Sequence, residues 1–266
     1  MTAVSLAWGA AGDDVGVAGY EVVRNGGPIP IATVGGSTLA WTDTSVAPGS
    51  TYTYIVRARD AAGNVGPPSG QVSAAVPTSG PPLFATGFEA GTLAGWTNAG
   101  VAIDSGTVHT GSYAARAATA NAAAWAWAPL ASISTDTYVR TWVRLAAIPS
   151  KTTTILKLRT ATGGSLVGIL VTSKGRLSYR NDVAGRTVNS TSTVSAAAWH
   201  EFVVHLSTIG TSSVIAVWVD GVAISGLTGT DNFGTSPVGR LQIGENQSGR
   251  PFDASFDDIT VQVQPF

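Results

Sequence analysis

Apolar and polar positions alternate without a break through Thr137-Tyr138-Val139-Arg140-Thr141-Trp142-Val143-Arg144-Leu145. A β-strand sends successive side chains to opposite faces, so this stretch predicts a strand with Val139, Thr141, Val143 and Leu145 on one side. Tyr138, Arg140, Trp142 and Arg144 fall on the other. The first set suits the interior of a sandwich, and the second is aromatic and cationic. Shorter runs of the same kind recur before residue 80, at Val4–Trp8, Gly19–Arg24, Ile31–Val34, Leu39–Asp43, Thr51–Asp60 and Gln71–Val76. Beyond it they fall at Ala99–Asp104, Ser112–Ala118, Ala122–Trp127, Thr137–Leu145, Thr154–Arg159, Leu166–Val171, Arg176–Asn181, Trp199–Leu206, Val214–Val219 and Arg240–Ile243. Turn formers separate these runs and no long stretch carries the helical period, so the expected fold class is all-β.

Composition sharpens this picture in a few places. The 32 Gly, 13 Pro and only 12% charged residues match many short strands joined by turns. A length of 266 residues allows one large or two medium domains. Pro77-Thr78-Ser79-Gly80-Pro81-Pro82 has no apolar period and reads as a short linker, giving domains at 1–78 and 83–266 around a linker at 79–82. There is no cysteine, which excludes disulfides and thiolate metal sites. No apolar run reaches the roughly 18 residues of a membrane span. Met1 is followed by neither a basic nor an apolar leader region, so an export signal is expected to have been removed, or the chain to be an internal fragment.

The net charge of −1 gives the whole molecule no pull toward nucleic acid. The charge is unevenly spread, however. From Tyr138 to Arg186 the bases are Arg140, Arg144, Lys151, Lys157, Arg159, Lys174, Arg176, Arg180 and Arg186, against the single acid Asp182. After that the balance reverses.

Two resemblances follow from ordered motifs. Leu6-Ala7-Trp8, Val17-Ala18-Gly19-Tyr20-Glu21-Val22, Trp41-Thr42-Asp43, Pro48-Gly49-Ser50-Thr51-Tyr52-Thr53-Tyr54 and Val56-Arg57-Ala58-Arg59-Asp60, with the turn Ala62–Ser69, resemble a bacterial fibronectin type III domain over residues 1–78. That family's first strand would precede Val4, where only Met1-Thr2-Ala3 stand. The resemblance therefore implies either a chain that starts inside the domain or an edge that another chain completes, with self-association as the consequence. Gly87-Phe88-Glu89-Ala90-Gly91-Thr92-Leu93-Ala94-Gly95-Trp96, His109-Thr110-Gly111-Ser112-Tyr113-Ala114, Trp199-His200-Glu201, Trp218-Val219-Asp220-Gly221, Gly239–Gly244 and Phe256-Asp257-Asp258-Ile259 resemble the concanavalin A-like lectin/glucanase superfamily, including LamG-like domains. The opening segment is also similar to carbohydrate-binding modules. This second resemblance implies an antiparallel jelly-roll sandwich over 83–266, a fold that hosts binders, adhesins, hydrolases and lyases.

Candidate chemistry starts from the alternating strand. An indole packs on the apolar face of a sugar ring, and a guanidinium captures a carboxylate or sulfate in a fork. Ile155-Leu156-Lys157-Leu158-Arg159 extends the pattern, and Arg176-Leu177-Ser178-Tyr179-Arg180 offers Tyr179 or Arg180. The expected ligand groove is Tyr138, Arg140, Trp142, Arg144, Lys157, Arg159 and Tyr179, holding a polysaccharide, plausibly acidic. Trp125 and Trp127 share a face of their own. The lectin-like resemblance implies pairing of the first and last strands, which brings Glu89 near Asp257 and Asp258; these acids are the expected ligands of a structural Ca²⁺. The paired-acid spacing of the glucanase branch is absent, as are serine-nucleophile and phosphate-loop motifs. His205, a tyrosine and Arg140 leave a polysaccharide lyase open as a weaker alternative, without the Gln-x-His motif of alginate lyases. The expectation is a non-catalytic polysaccharide-binding module of a secreted bacterial protein, with an adhesion or self-assembly protein as the alternative.

Overall fold

The computed structural model describes residues 3–76 and 81–266, and the linker expected at 79–82 lies partly outside them. The chain divides into two compact units, Met1–Ser79 and Gly80–Pro265. Strands fill both, so the fold is all-β as expected. Among the described residues no helix is long and apolar enough to cross a membrane.

The first unit holds β1 (Val4–Ala7), β2 (Gly19–Arg24), β3 (Ala32–Gly35), β4 (Ala40–Asp43), β5 (Thr51–Arg59), β6 (Val65–Pro68) and β7 (Val72–Ala75). β1 and β4 form a two-stranded sheet; β3, β2 and β5 form a second, with β6 and β7 both pairing to β5. β6 escaped the sequence reading because Pro67 and Pro68 lack the N–H a strand donates, a residue type confined to sheet edges. β1 pairs with β4 and with no other strand among the described residues.

The core of this unit closes over Tyr20, Val22, Val23 and Tyr54, with one buried acid, Asp43. Its carboxylate accepts hydrogen bonds from Arg24 Nη1 (2.9 Å), Tyr54 Oη (2.9 Å), Ser45 Oγ (2.7 Å) and Ser45 N (2.9 Å). Burial alone would raise the Asp43 pKa, but these bonds outweigh it and hold the carboxyl below its ordinary value. Burial, with the Asp43 hydrogen bond, pushes the Tyr54 hydroxyl up to about 12. A depressed folded-state pKa gives stability that is complete above the unfolded value of about 3.9 and lost as pH falls through the folded one. Asp43→Ala is therefore expected to cost about 2–3 kcal/mol at pH 7, by stranding Arg24 and Tyr54. Calorimetry should show that the deficit shrinks once the pH is below the folded pKa, where wild-type Asp43 is itself protonated.

The second unit holds β8 (Phe84–Thr86), β9 (Thr97–Ala99), β10 (Val101–Asp104), β11 (Ala114–Thr119), β12 (Ala124–Ser134), β13 (Asp136–Leu145), β14 (Thr153–Arg159) and β15 (Ser165–Val171). It continues with β16 (Arg176–Asn181), β17 (Arg186–Thr193), β18 (Trp199–Ser207), β19 (Ser213–Val219), β20 (Val222–Ala223), β21 (Gly229–Asp231), β22 (Val238–Glu245) and β23 (Phe252–Gln262). A nine-stranded sheet runs β10-β11-β23-β13-β18-β19-β20, with β8 on β23 and β21 on β19. A seven-stranded sheet runs β17-β16-β15-β14-β22-β12-β9. Val139, Val143, Val204 and Phe256 of the first meet Ala126, Leu158, Ile169 and Leu241 of the second in one buried cluster, making a jelly-roll sandwich. β17 was not foreseen: Arg186–Thr193 reads R-T-V-N-S-T-S-T, almost without apolar residues, and it lies at the sheet edge.

Candidate functional site

β13 sits between β23 and β18 and carries the alternation as read: Val139, Thr141, Val143 and Leu145 are buried, while Tyr138, Arg140, Trp142 and Arg144 point outward and are half-buried. One ring face of each outward aromatic is already taken. Tyr138 lies flat on its cross-strand neighbour His205 (centroids 4.0 Å apart, 2° between planes), and Trp142 lies under His109 (3.9 Å, 15°). Each imidazole is itself fixed by an acid, His205 by Asp136 (2.6 Å) and His109 by Asp258 (2.7 Å). Burial, and then the Asp136 charge, raise the Tyr138 pKa. Arg140, Trp142, Glu201, Asp258 and Thr260 line an open recess of about 660 Å³ on this face.

The rest of the expected groove does not join it. Lys157 and Arg159 are on β14, which belongs to the seven-stranded sheet, so they face away from Trp142 across the full thickness of the sandwich. Alternation fixes which face of a strand is wet; it does not say to which sheet the strand belongs, and residues 146–152 carry the chain from one sheet to the other. Tyr179 is also displaced. It is 4% exposed, packs in the core near Phe233, and its hydroxyl donates to Asp231 (3.3 Å). Burial, chiefly, holds its pKa above the ordinary value. A tyrosine tolerates this position because that acid satisfies its polar end. Arg180, its strand neighbour, takes the outward face instead.

The outward face of the seven-stranded sheet is a hollow. Thr154, Leu170, Ser178 and Gln242 alternate with core residues and so point away from the core, yet all four are buried. Trp125, Trp127, Arg159, Gln242 and Asn246 line a recess of about 270 Å³ there. β12 builds its wall: Ala124, Ala126 and Ala128 go into the core and their neighbours Trp125 and Trp127 come out. The residues directly across from Trp125 are Gly244 on β22, at φ +76, and Ala99 on β9, so no large cross-strand side chain covers that indole. A Cβ at Gly244 would collide with the Ala124 carbonyl, which keeps the position free of a larger residue.

Cations crowd the same hollow. Arg159 Nε donates to Gln242 Oε1 (2.8 Å) and Nη1 to Gly163 O (2.8 Å), so its guanidinium is held in place. The guanidinium of Arg240 lies 4.0 Å over the Trp127 ring and directly across the strand pair from Arg159. Like charges so placed repel. Burial pulls the Arg159 pKa down and Arg240 adds to this, with Asp182 opposing. Lys157 and Arg180 both reach Asp182 at 3.4 Å. Lys157 and Arg180 thus pair with Asp182 and Arg159 feels its charge, while Arg240 adds a fourth cation beside Arg159. Arg240 and Gln242 could have been found from the sequence, since they alternate with Leu241 and Ile243; Asn246 lies in a loop and carries no such signal.

The three acids expected to hold calcium all lie around Gly87. β8 pairs with β23, and a Cβ on Gly87 would lie 3.4 Å from Asp258 Oδ1, 3.8 Å from Glu89 Cγ and 4.0 Å from Asp257 Oδ1. Asp258 sits at φ +47 in the bulge where the β13–β23 register shifts, which turns it out while Asp257 stays fully buried. Asp257 accepts from the N–H groups of Asp258 (2.8 Å), His109 (3.0 Å) and Thr110 (3.3 Å); burial outweighs these and holds its carboxyl above the ordinary value. Glu89 accepts from Ser112 N (2.8 Å) and Tyr113 N (3.2 Å). Among the described residues no three His, Cys, Asp or Glu side chains are close enough to share an ion. At most two of the three acids can therefore ligate one cation, and carbonyl oxygens must supply the rest.

Comparison with known proteins adds the following. A family model described as "Concanavalin A-like lectin/glucanases superfamily" matches residues 117–264. A chitinase C of Streptomyces lividans is 48% identical over 71 residues, 27% of this chain and 11% of the chitinase. An exoglucanase B of Cellulomonas fimi is 43% identical over 68 residues, 26% of this chain and 6% of that protein. The chain thus spans about a tenth or less of the length of these relatives. The solved structure of "Cellulose induced protein, Cip1" superposes with a TM-score of 0.55 at 23% identity, covering 68% of this chain and 97% of that one. A sialidase superposes at 0.51 with 10% identity, over 79% of this chain and 21% of the sialidase. Both structural likenesses concern the fold.

Proposed function

The chain belongs to the concanavalin A-like lectin/glucanase superfamily through residues 117–264, and from that premise we propose that its second unit binds an acidic polysaccharide across the seven-stranded sheet. The observation that carries this reading is the recess of Trp125, Trp127, Arg159, Gln242 and Asn246, an uncovered indole beside a fixed guanidinium and two amides. Trp125 offers a flat apolar surface to a sugar ring, the amides take hydroxyls, and Arg159 with Lys157 and Arg240 takes a carboxylate or sulfate. Among the described residues no pair of carboxylates lines this recess, which favours binding over cleavage of the glycosidic bond there. The glycan-degrading relatives support a polysaccharide partner and a secreted bacterial setting. The first unit, on its two-sheet topology and its motifs, serves as a fibronectin type III spacer. Affinity electrophoresis through gels containing a polyuronate or a neutral glucan tests the reading. Retardation by the polyuronate that weakens with added salt supports it, and no retardation by either polymer rejects it.

A second reading keeps the Tyr138–Arg144 stripe as the binding face, favoured by the recess that Arg140 and Trp142 line. Self-association through the edge of β1 that meets no other strand among the described residues is the competing role for the first unit, and sedimentation that stays monomeric over a wide concentration range would remove it.

A structural Ca²⁺ held by two of Glu89, Asp257 and Asp258 belongs to the same proposal. The convergence on Gly87 and the spare lone pairs of the carboxylates support it. Bound there, the ion would neutralise a buried carboxylate and tie β8 to β23. A chelator is then expected to lower the melting temperature by about 5 °C or more, and added Ca²⁺ to restore it. An unchanged melting curve would remove the metal from the account.

A further inference from the structure

All three histidines of the chain are hydrogen-bonded to an aspartate, but only one passes the chain of bonds on to a nucleophile. His109 and His205 end on aromatic rings. His200 Nδ1 lies 2.7 Å from Asp220 Oδ2, and its Nε2 lies 2.8 Å from Ser195 Oγ. Asp220 is held in turn, since its Oδ1 accepts the Glu201 N–H (2.9 Å). With the Nδ1 proton directed to the acid, Nε2 is left to accept from the hydroxyl, which is the polarity a general base requires. The geometry points to a Ser195–His200–Asp220 hydrolytic triad at the rim of the sandwich, acting on short-chain acyl esters; we propose it as a second activity, beyond the polysaccharide-binding face.

The surroundings suit that chemistry. Ser195 is exposed, in the loop between β17 and β18, so an ester can reach it. The loop is pinned on both sides, by Val194 N to Gly175 O (2.9 Å) and by Ala197 N to Leu145 O (2.7 Å), the latter with Ala197 at φ +61. Between those pins, the N–H groups of Ser195 and Ala196 have no acceptor among the described residues. The N–H of the residue after the nucleophile is a common donor to a developing oxyanion. In the reaction Ser195 Oγ would attack the carbonyl carbon while His200 Nε2 takes the hydroxyl proton. The C–O bond to the alcohol then breaks, and His200 returns the proton to the leaving alkoxide. Water repeats the sequence, releasing the acid and restoring the serine, so no further reactant is needed.

The test uses the full chain with p-nitrophenyl acetate and with a fluorophosphonate probe. The expected result is fluorophosphonate labelling that mass spectrometry maps to Ser195, with hydrolysis of p-nitrophenyl acetate by the wild-type chain. Ser195→Ala and His200→Ala should each lower hydrolysis by about 100-fold or more. Labelling is read on the wild-type protein, so the answer does not depend on either variant folding. No labelling of Ser195, or hydrolysis unchanged in Ser195→Ala, overturns the proposal and leaves the three residues as a clasp between the β17–β18 loop and the β19–β20 turn. Because neither probe carries a sugar, this result is independent of whether the seven-stranded face binds polysaccharide.

Discussion

Trp125→Ala is expected to lower affinity for an acidic polysaccharide by about 30-fold or more, the effect of removing an aromatic anchor worth ≥ 2 kcal/mol. The size follows from what surrounds the ring. Trp125 has Gly244 directly across the strand pair, and it opens onto the recess that Arg159, Gln242 and Asn246 share. The substitution leaves Ala124 and Ala126 on the core side undisturbed, so stability should change little while binding is lost. Trp142→Ala is the matched comparison. Its indole already rests against His109, so a sugar has less of it to use. Titration calorimetry on both variants separates the faces: loss with Trp142→Ala and retention with Trp125→Ala would move the site to the nine-stranded sheet.

Much of the fold is legible because alternation is a local property. Val139, Thr141, Val143 and Leu145 had to face inward whatever else the chain did, and Trp125 and Trp127 had to share a face. What alternation leaves open is how strands assemble. β13 and β14 are neighbours in sequence with the same cationic outer pattern, and they lie on opposite sheets. The expected groove was therefore the sum of two half-sites. Tyr179 and Arg180 posed a choice of register that only packing settles: Phe233 and Asp231 give the tyrosine both an apolar neighbour and a hydrogen-bond partner inside. Ser195 lies in the β17–β18 loop, His200 on β18 and Asp220 in the β19–β20 turn, so no spacing pattern announces them.

Glu245→Ala is expected to be the most damaging single change, costing about 3 kcal/mol and the polysaccharide affinity together. Glu245 is 1% exposed and stands at the end of β22. Its carboxylate accepts from Thr154 N of β14 (3.0 Å), from Gln247 N (2.8 Å) and from Arg250 Nη1 (3.2 Å). Arg250 also donates to Thr152 O (2.7 Å), so one acid joins β22, the start of β14 and the loop 246–250. Truncation strands the buried Thr154 N–H, the partly buried Gln247 N–H and a guanidinium at once. It also frees Asn246, the loop residue that completes the recess beside Trp125. Glu245→Gln keeps the shape but has a single acceptor oxygen, so it can serve Gln247 N on one side or Thr154 N and Arg250 on the other, and it turns an NH2 toward the donors it does not serve. It should therefore recover only part of the stability, and the binding as far as the loop stays in place. If the glutamine variant were as unstable as the alanine one, charge would be what matters at this junction, and if both bound normally the loop would have no part in holding the ligand.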